Sequence, residues 1–241
     1  MEYHEIFNHR GDAYHNAMAL CPMARREEFR IPLNLLELGD GQTLCDFPSG
    51  GGYLRGFLDH EVEVIALEAS EEFAAQGHPC SVGNWTAIPR PDQSVEAFLS
   101  LAALHHASQR DEFYREVFRV LKPGGRFVIG DVMAGTPQDQ FLNGFVNGQN
   151  SMGHQGDFLD QDTEKQRMIA AGFEVDHQEL YRYPWTFESE DLMIRFCRGL
   201  FGLDLADDAT TLAGLQPLLT EPGSLQINWS LLFVRGRKVW K

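Results

Sequence analysis

Strand and helix signals alternate along residues 41–131, which predicts an α/β fold with a mainly parallel sheet covered by helices on both faces. Two local features support this. The apolar run Thr43-Leu44-Cys45 ends in Asp46, and Gly50-Gly51-Gly52 come within a few residues, as expected for a tight strand-to-helix turn. Further on, Lys122-Pro123-Gly124-Gly125 closes a helix and launches a strand, because proline cannot continue the helix and glycine turns the chain.

From the N-terminus, residues 1–40 read as helical, with Leu33, Leu35, Leu36 and Leu38 supplying apolar surface and Gly39-Asp40-Gly41 ending the segment. Strands are expected at Thr43–Phe47, Val62–Leu67, Pro79–Val82, Val95–Leu101 and Gly125–Asp131. Helices are expected at about 51–60, 70–77 and 108–121. Residues 132–160 are rich in Gly, Asn, Gln and Phe and suggest a lid with a partial helix. A helix at about 162–171 precedes a strand at Phe173–Tyr183, and a last strand lies at Leu225–Arg235. Between those strands, Pro184 to Gly223 forms an insertion with two short helices. The expected organisation is one domain over 1–241: an N-terminal helical lid (1–40), a ligand-binding core (41–131), a lid segment (132–160) and a helical insertion (184–223).

Composition narrows the function. Hydrophobic residues make up 43% of the 241, enough for a sizeable core. With 20 basic against 35 acidic residues the net charge is −15, and Lys and Arg form no long cluster, so neither nucleic acid nor an anionic membrane is an expected partner. Cys21, Cys45, Cys80 and Cys197 form no Cys-x-x-Cys pair, which fits a reducing compartment and argues against zinc, so no metal site is expected. The start, Met1-Glu2-Tyr3-His4-Glu5, lacks the apolar stretch of a signal peptide, and no run approaches a membrane span. A cytoplasmic protein, monomeric or homodimeric, is the expectation.

The glycine turn discriminates among nucleotides. A dinucleotide turn needs Gly-x-Gly-x-x-Gly, but counting from Gly50 and Gly52 the third position is Arg55. A P-loop fails too, since no Gly-Lys-Ser/Thr comes after the glycines. Asp46-Phe47-Pro48-Ser49-Gly50-Gly51-Gly52 instead resembles the first motif of the class I S-adenosylmethionine-dependent methyltransferases, acid-x-Gly-x-Gly-x-Gly, with Pro48 at the first glycine position. Later landmarks keep the family's order: a second strand ending at Glu68, then Gly83-Asn84-Trp85 before Ile88-Pro89, a fourth strand ending at Leu101 before Leu104-His105-His106, and the turn Leu121-Lys122-Pro123-Gly124-Gly125.

The resemblance implies a Rossmann-like sheet of seven strands, mostly parallel with the last antiparallel, and S-adenosylmethionine as cofactor, leaving S-adenosylhomocysteine. It places the cofactor at Asp46, Pro48, Gly50, Gly52, Glu68, Asn84, Trp85 and Leu101, with Glu68 accepting from the ribose hydroxyls and Asn84 from the adenine amine. Tyr14 in the N-terminal segment is a further candidate that could close over it. Arg25 or Arg26 could pair with the methionine carboxylate of the cofactor, although a solvated helix face is the expected setting of both.

Methyl transfer from a sulfonium needs alignment and exclusion of water, and a base where the acceptor is a hydroxyl, phenol or protonated amine. His106, His105 and His154 are the candidates, since histidine titrates near neutrality. Aromatics in the three added segments, among them Phe141, Trp185 and Phe201, suggest a small, partly apolar acceptor, aromatic ones included, with an oxygen or nitrogen nucleophile. Two alternatives stand beside this: another reaction on the same scaffold, such as cyclisation or carboxyl transfer, and a non-catalytic cofactor-binding subunit.

Overall fold

The structure is a computed structural model that describes residues 3–76 and 79–239. The ends of the expected N-terminal lid (Met1, Glu2) and third helix (Gly77), with His78, Trp240 and Lys241, lie outside the described residues.

Seven strands form one sheet: β1 (Thr43–Asp46), β2 (Glu63–Glu68), β3 (Ser81–Val82), β4 (Val95–Leu101), β5 (Leu121–Asp131), β6 (Glu174–Thr186) and β7 (Gln226–Arg237). Their spatial order is β3-β2-β1-β4-β5-β7-β6. The pairs β1·β2, β1·β4, β2·β3 and β4·β5 are parallel, and β7 runs antiparallel to both β5 and β6. Order reverses between β1 and β4, which opens a crevice at the carboxyl edge there.

The strand alternation sends successive side chains to opposite faces. Leu44, Leu99, Val128 and Phe233 enter one apolar core, while Cys45, Phe98, Ile129 and Leu232 enter a second on the other face. Helices α1 (Tyr3–Leu20), α2 (Arg26–Leu36) and α8 (Glu190–Phe201) cover the first face, and α4 (Arg110–Val120) and α7 (Gln161–Ala170) the second. The remaining helices are α3 (Glu71–Gln76), α5 (Pro137–Gln140), α6 (Asn147–Gln149) and α9 (Asp208–Leu215). Ser189 and Asp207 cap α8 and α9 through the main-chain N–H groups of Leu192 and Thr210, so the insertion carries the two helices expected of it.

One expected helix needs correction. The helix at 51–60 is a single 3₁₀ turn, Tyr53–Phe57, because Gly50, Gly51 and Gly52 all take positive φ and Leu58 is already extended. The partial helix expected in 132–160 is a helical run in which α5 passes through a π-helical turn, Phe141–Val146, into α6.

The β6·β7 ladder outruns β5. Asp131 pairs with Leu232 at the end of the β5·β7 register, yet β6 and β7 continue to Thr186↔Gln226. This overhang carries Tyr183, Trp185, Trp229 and Leu231 beyond the carboxyl edge of the sheet. Helix α1 lies close against α8: a Cβ on Gly199 would meet the Ala13 carbonyl oxygen at 2.8 Å. Among the described residues no helix is long and apolar enough to cross a membrane.

Candidate active site

The site grows from the end of β1. Asp46 is buried there, the Phe47–Pro48 peptide is cis, and Gly50, Gly51 and Gly52 come next at φ of 57°, 96° and 77°. Glycine alone adopts this left-handed run without strain. At Gly51 there is also no room, since a Cβ would lie 2.5 Å from His15 Cε1 and 2.9 Å from Tyr53 Cε2.

Glu68, at the end of β2, is fully buried. Its Oε2 accepts from the Gly50 N–H at 3.0 Å and from the Tyr3 hydroxyl at 3.3 Å. Its Oε1 accepts from the Ala69 and Ser70 N–H groups at 2.7 and 3.4 Å. Burial pushes its carboxyl up to about 7, although those hydrogen bonds work in the other direction. Asp46 is pushed up to about 8, first by burial and then by the charge of Glu68. Both carboxyls hold their protons to higher pH in the folded chain than in the unfolded one. Their ionisation therefore costs stability as pH rises from about 4 to about 8. Asp46→Asn should be more stable than the parent at pH 8 and differ little at pH 4. Thermal melts at the two pH values check this, and equal slopes for parent and variant would contradict it.

Trp85 packs against Phe47 with ring centroids 4.8 Å apart and lies edge-on to Tyr3 at 6.1 Å. Asn84 stands apart: it is exposed, and its Oδ1 accepts from the Thr86 N–H and hydroxyl.

A cavity opens beside this turn, with about 750 Å³ of unfilled space, part of it open to solvent. Pro48, Gly50 and Leu101 line one end, Tyr3, Phe7 and Tyr14 of α1 roof it, and Trp185, Trp229, Leu200 and Phe201 form the far wall.

His105, His106 and His154 line the same cavity. The first two sit on a 3₁₀ turn after β4, Leu104–His106. The His105 N–H and Nδ1 both bond the Asp131 carboxylate, the ring at 2.8 and 3.0 Å to its two oxygens. Burial opposes the Asp131 charge, but His105 and two main-chain N–H groups outweigh it and hold the carboxyl below its usual range. His105 Nδ1 is therefore the donor and Nε2 its free acceptor. His154 hangs from the 150–157 loop, its N–H on Asn147 Oδ1 at 2.8 Å. Burial pushes His106 well below the usual imidazole range and His154 down to about 3, and the neighbouring histidines add to both shifts.

Under the far wall runs a buried polar chain. Arg25 pairs with Glu28 and donates to Tyr14 Oη at 2.7 Å, while Trp185 Nε1 donates to Glu28 Oε2 at 3.1 Å. Burial works against the Arg25 charge and Glu28 more than offsets it, so its pKa is raised. Arg25 is thus part of the cavity lining rather than a solvated face, whereas Arg26 is half exposed and pairs with Glu27.

The structure brings Pro48, Gly50, Leu101, Tyr14, His105, His106 and His154 together around one cavity. Asp46, Gly52, Glu68 and Trp85 pack just behind its Gly50 end. Sequence reasoning missed Arg10, Glu28, Asp131, Trp229 and Leu231 as lining residues. Trp229 and Leu231 alternate on one face of β7, a signal that becomes informative only once the overhang is known.

Residues 45–129 match the family model described as a methyltransferase domain. Over 136 residues the chain is 32% identical to 24-methylenesterol C-methyltransferase 2 of Oryza sativa subsp. japonica, covering 49% of this chain and 38% of that protein. Over 113 residues it is 41% identical to 27-O-demethylrifamycin SV methyltransferase of Amycolatopsis mediterranei, covering 41% and 42%. The chain thus spans less than half the length of these two relatives. The crystal structure of YcgJ from Bacillus subtilis superposes with a TM-score of 0.63 at 19% identity, over 90% of this chain and all of that one. Strand order, glycine turn and family model agree: residues 45–129 form a methyltransferase domain on the scaffold of the class I S-adenosylmethionine-dependent methyltransferases, and S-adenosylmethionine is the cofactor that this scaffold serves.

The residues fit that group. The three glycines leave the main chain bare, and Glu68 faces the same turn through Gly50. The Tyr3 hydroxyl bonds one oxygen of that carboxylate.

Proposed function

We propose that the protein transfers a methyl group from S-adenosylmethionine to an oxygen or nitrogen of a small, partly apolar acceptor. The observation that carries this reading is the cavity itself, whose lining joins the Gly50 turn, three histidines and the aromatic cluster of Trp185, Trp229 and Phe201. The bound cofactor supplies the reactive methyl group; the chain supplies alignment and a water-poor site.

In this reading Asp46, Pro48, Gly50, Gly52, Glu68, Trp85, Leu101 and Tyr14 hold the cofactor. Glu68 exchanges its Tyr3 bond for the ribose hydroxyls, so the first turn of α1 moves aside. Asn84 reaches the adenine when its oxygen exchanges Thr86 for the exocyclic amine. The aromatic wall selects the acceptor by area and shape. His106 and His154, held as neutral rings well below neutrality, take up protons poorly. His105 is the one of the three oriented by a carboxylate, and it is the proposed proton acceptor. The segments 1–40, 132–160 and 184–223 act as one closure around a single domain.

Isothermal titration tests the first step. One molecule of S-adenosylmethionine or S-adenosylhomocysteine should bind per chain, while NADH should not. Methyl release over a panel of phenols, alcohols and amines then tests the second. Absence of binding by both adenosyl ligands overturns the reading.

A further inference from the structure

The three histidines also carry a reading independent of methyl transfer. Each ring offers one nitrogen, and these three atoms lie within 4.8 Å of one another. The rings crowd together, with centroids 4.1 Å apart for His105 and His106, 5.5 Å for His105 and His154, and 5.2 Å for His106 and His154. The Nδ1 atoms of His106 and His154 are buried and have no hydrogen-bond partner among the described residues. A buried ring nitrogen without a partner is costly, and two in one cluster call for a ligand that accepts lone pairs from both.

The surroundings are those of a built site. Asp131 fixes His105 through Nδ1, so Nε2 is the lone-pair atom, an arrangement that recurs where a carboxylate orients a metal-binding histidine. The loop bearing His154 is tied down at its C-terminal end. Asp157 N–H donates to the His105 carbonyl at 3.0 Å, and Asn143 makes two bonds to Gly156, at 2.7 and 3.0 Å. Arg110 braces the same junction through the Leu104 and Asp157 carbonyls. All three histidines line the cavity, so a fourth position faces it.

We propose that His105, His106 and His154 hold a divalent transition-metal ion, with Asp131 orienting His105 and a fourth position open to the acceptor cavity. Imidazole sets suit zinc, iron, copper and nickel, whereas calcium and magnesium take oxygen ligands. Tetrahedral zinc with bonds of about 2.1 Å wants nitrogens about 3.4 Å apart, so the rings draw in by up to about 1.4 Å. Three protein ligands with one open position is the pattern of reactive rather than structural zinc. The ion occupies the atom that otherwise accepts a proton at His105, so base and ligand are roles of the metal-free and metal-loaded protein. In the loaded state an acceptor hydroxyl would bind the ion directly and become more acidic. The sequence pointed away from zinc because only cysteine spacing was informative; these ligands are imidazoles brought together by β4 and the 150–157 loop.

The test uses the whole chain after chelator treatment and contains no adenosyl ligand, so it stands or falls apart from the methyltransferase reading. Titration with Zn²⁺ should show one tight site per chain. Co²⁺ in the unaltered protein should give the intense visible bands of a four-coordinate ion. His154→Ala should abolish the tight site. Asp131→Asn should weaken it by about 10–100-fold. His60→Ala, at an exposed histidine paired with Asp40, should leave it intact. Sub-stoichiometric binding, a six-coordinate cobalt spectrum, or tight binding that survives in folded His154→Ala would each overturn the proposal.

Discussion

Glu68→Ala should weaken S-adenosylmethionine binding by about a hundredfold. Under the proposed reading the carboxylate accepts two hydrogen bonds from the ribose, each worth about 1.5–3 kcal/mol because the acceptor is charged. Part of that loss is returned, since the variant also releases Tyr3 from a long bond of 3.3 Å to the same carboxylate, worth about 1.5 kcal/mol at the low end of that range. A net of about 3 kcal/mol is about two decades in affinity. Titration calorimetry at pH 8, above the value of about 7 to which burial raises this carboxyl, keeps the parent ionised. Equal affinities for parent and variant would remove Glu68 from the ribose role. Glu68→Gln should fall between, because the amide keeps one acceptor but not the charge.

Arg25→Ala should cost about 3–5 kcal/mol of folding stability, the range for stranding one member of a buried ion pair. Glu28 is 1% exposed, and its carboxylate is held by the Arg25 and Trp185 side chains. With the guanidinium gone, one indole N–H faces a full buried charge, and Tyr14 loses its donor as well. Pairing Arg25→Met with Glu28→Gln should recover most of the loss, because the amide still accepts from Trp185 and no charge remains. Chemical denaturation of the two single variants and the double variant closes the cycle. Additive losses would show that the charge pairing is not what matters.

Much of the scaffold was legible in the chain because its signals are local. Val95–Leu101 reads directly as a strand from its apolar run, and the Lys122-Pro123-Gly124-Gly125 turn marks the passage from helix into β5. Acids at the ends of β1 and β2 announce Asp46 and Glu68 in the same way. The helix at 51–60 was misread because hydrophobic spacing does not reveal three successive positive-φ residues that use up the first turn. Arg25 and Glu28 carry no local mark of burial, since an arginine and a glutamate three residues apart look like an ordinary exposed helix pair. Asp131 joins His105 because β5 pairs with β4, and His154 joins them through the 150–157 loop, whose Asp157 N–H bonds the His105 carbonyl. Trp229 reaches the cavity only because the β6·β7 hairpin outruns the rest of the sheet.

The Tyr3–Glu68 hydrogen bond means that, on the cofactor reading, the chain competes with its own ligand. Observed affinity is then the intrinsic affinity of the open form multiplied by the fraction of molecules that are open. Each tenfold bias toward the closed form subtracts about 1.4 kcal/mol from binding. Changes in the first turn of α1 would therefore tune how much cofactor is held at a given concentration while touching no atom of it. Specificity written in Glu68 and strength written in Tyr3 would be separable properties, open to independent drift.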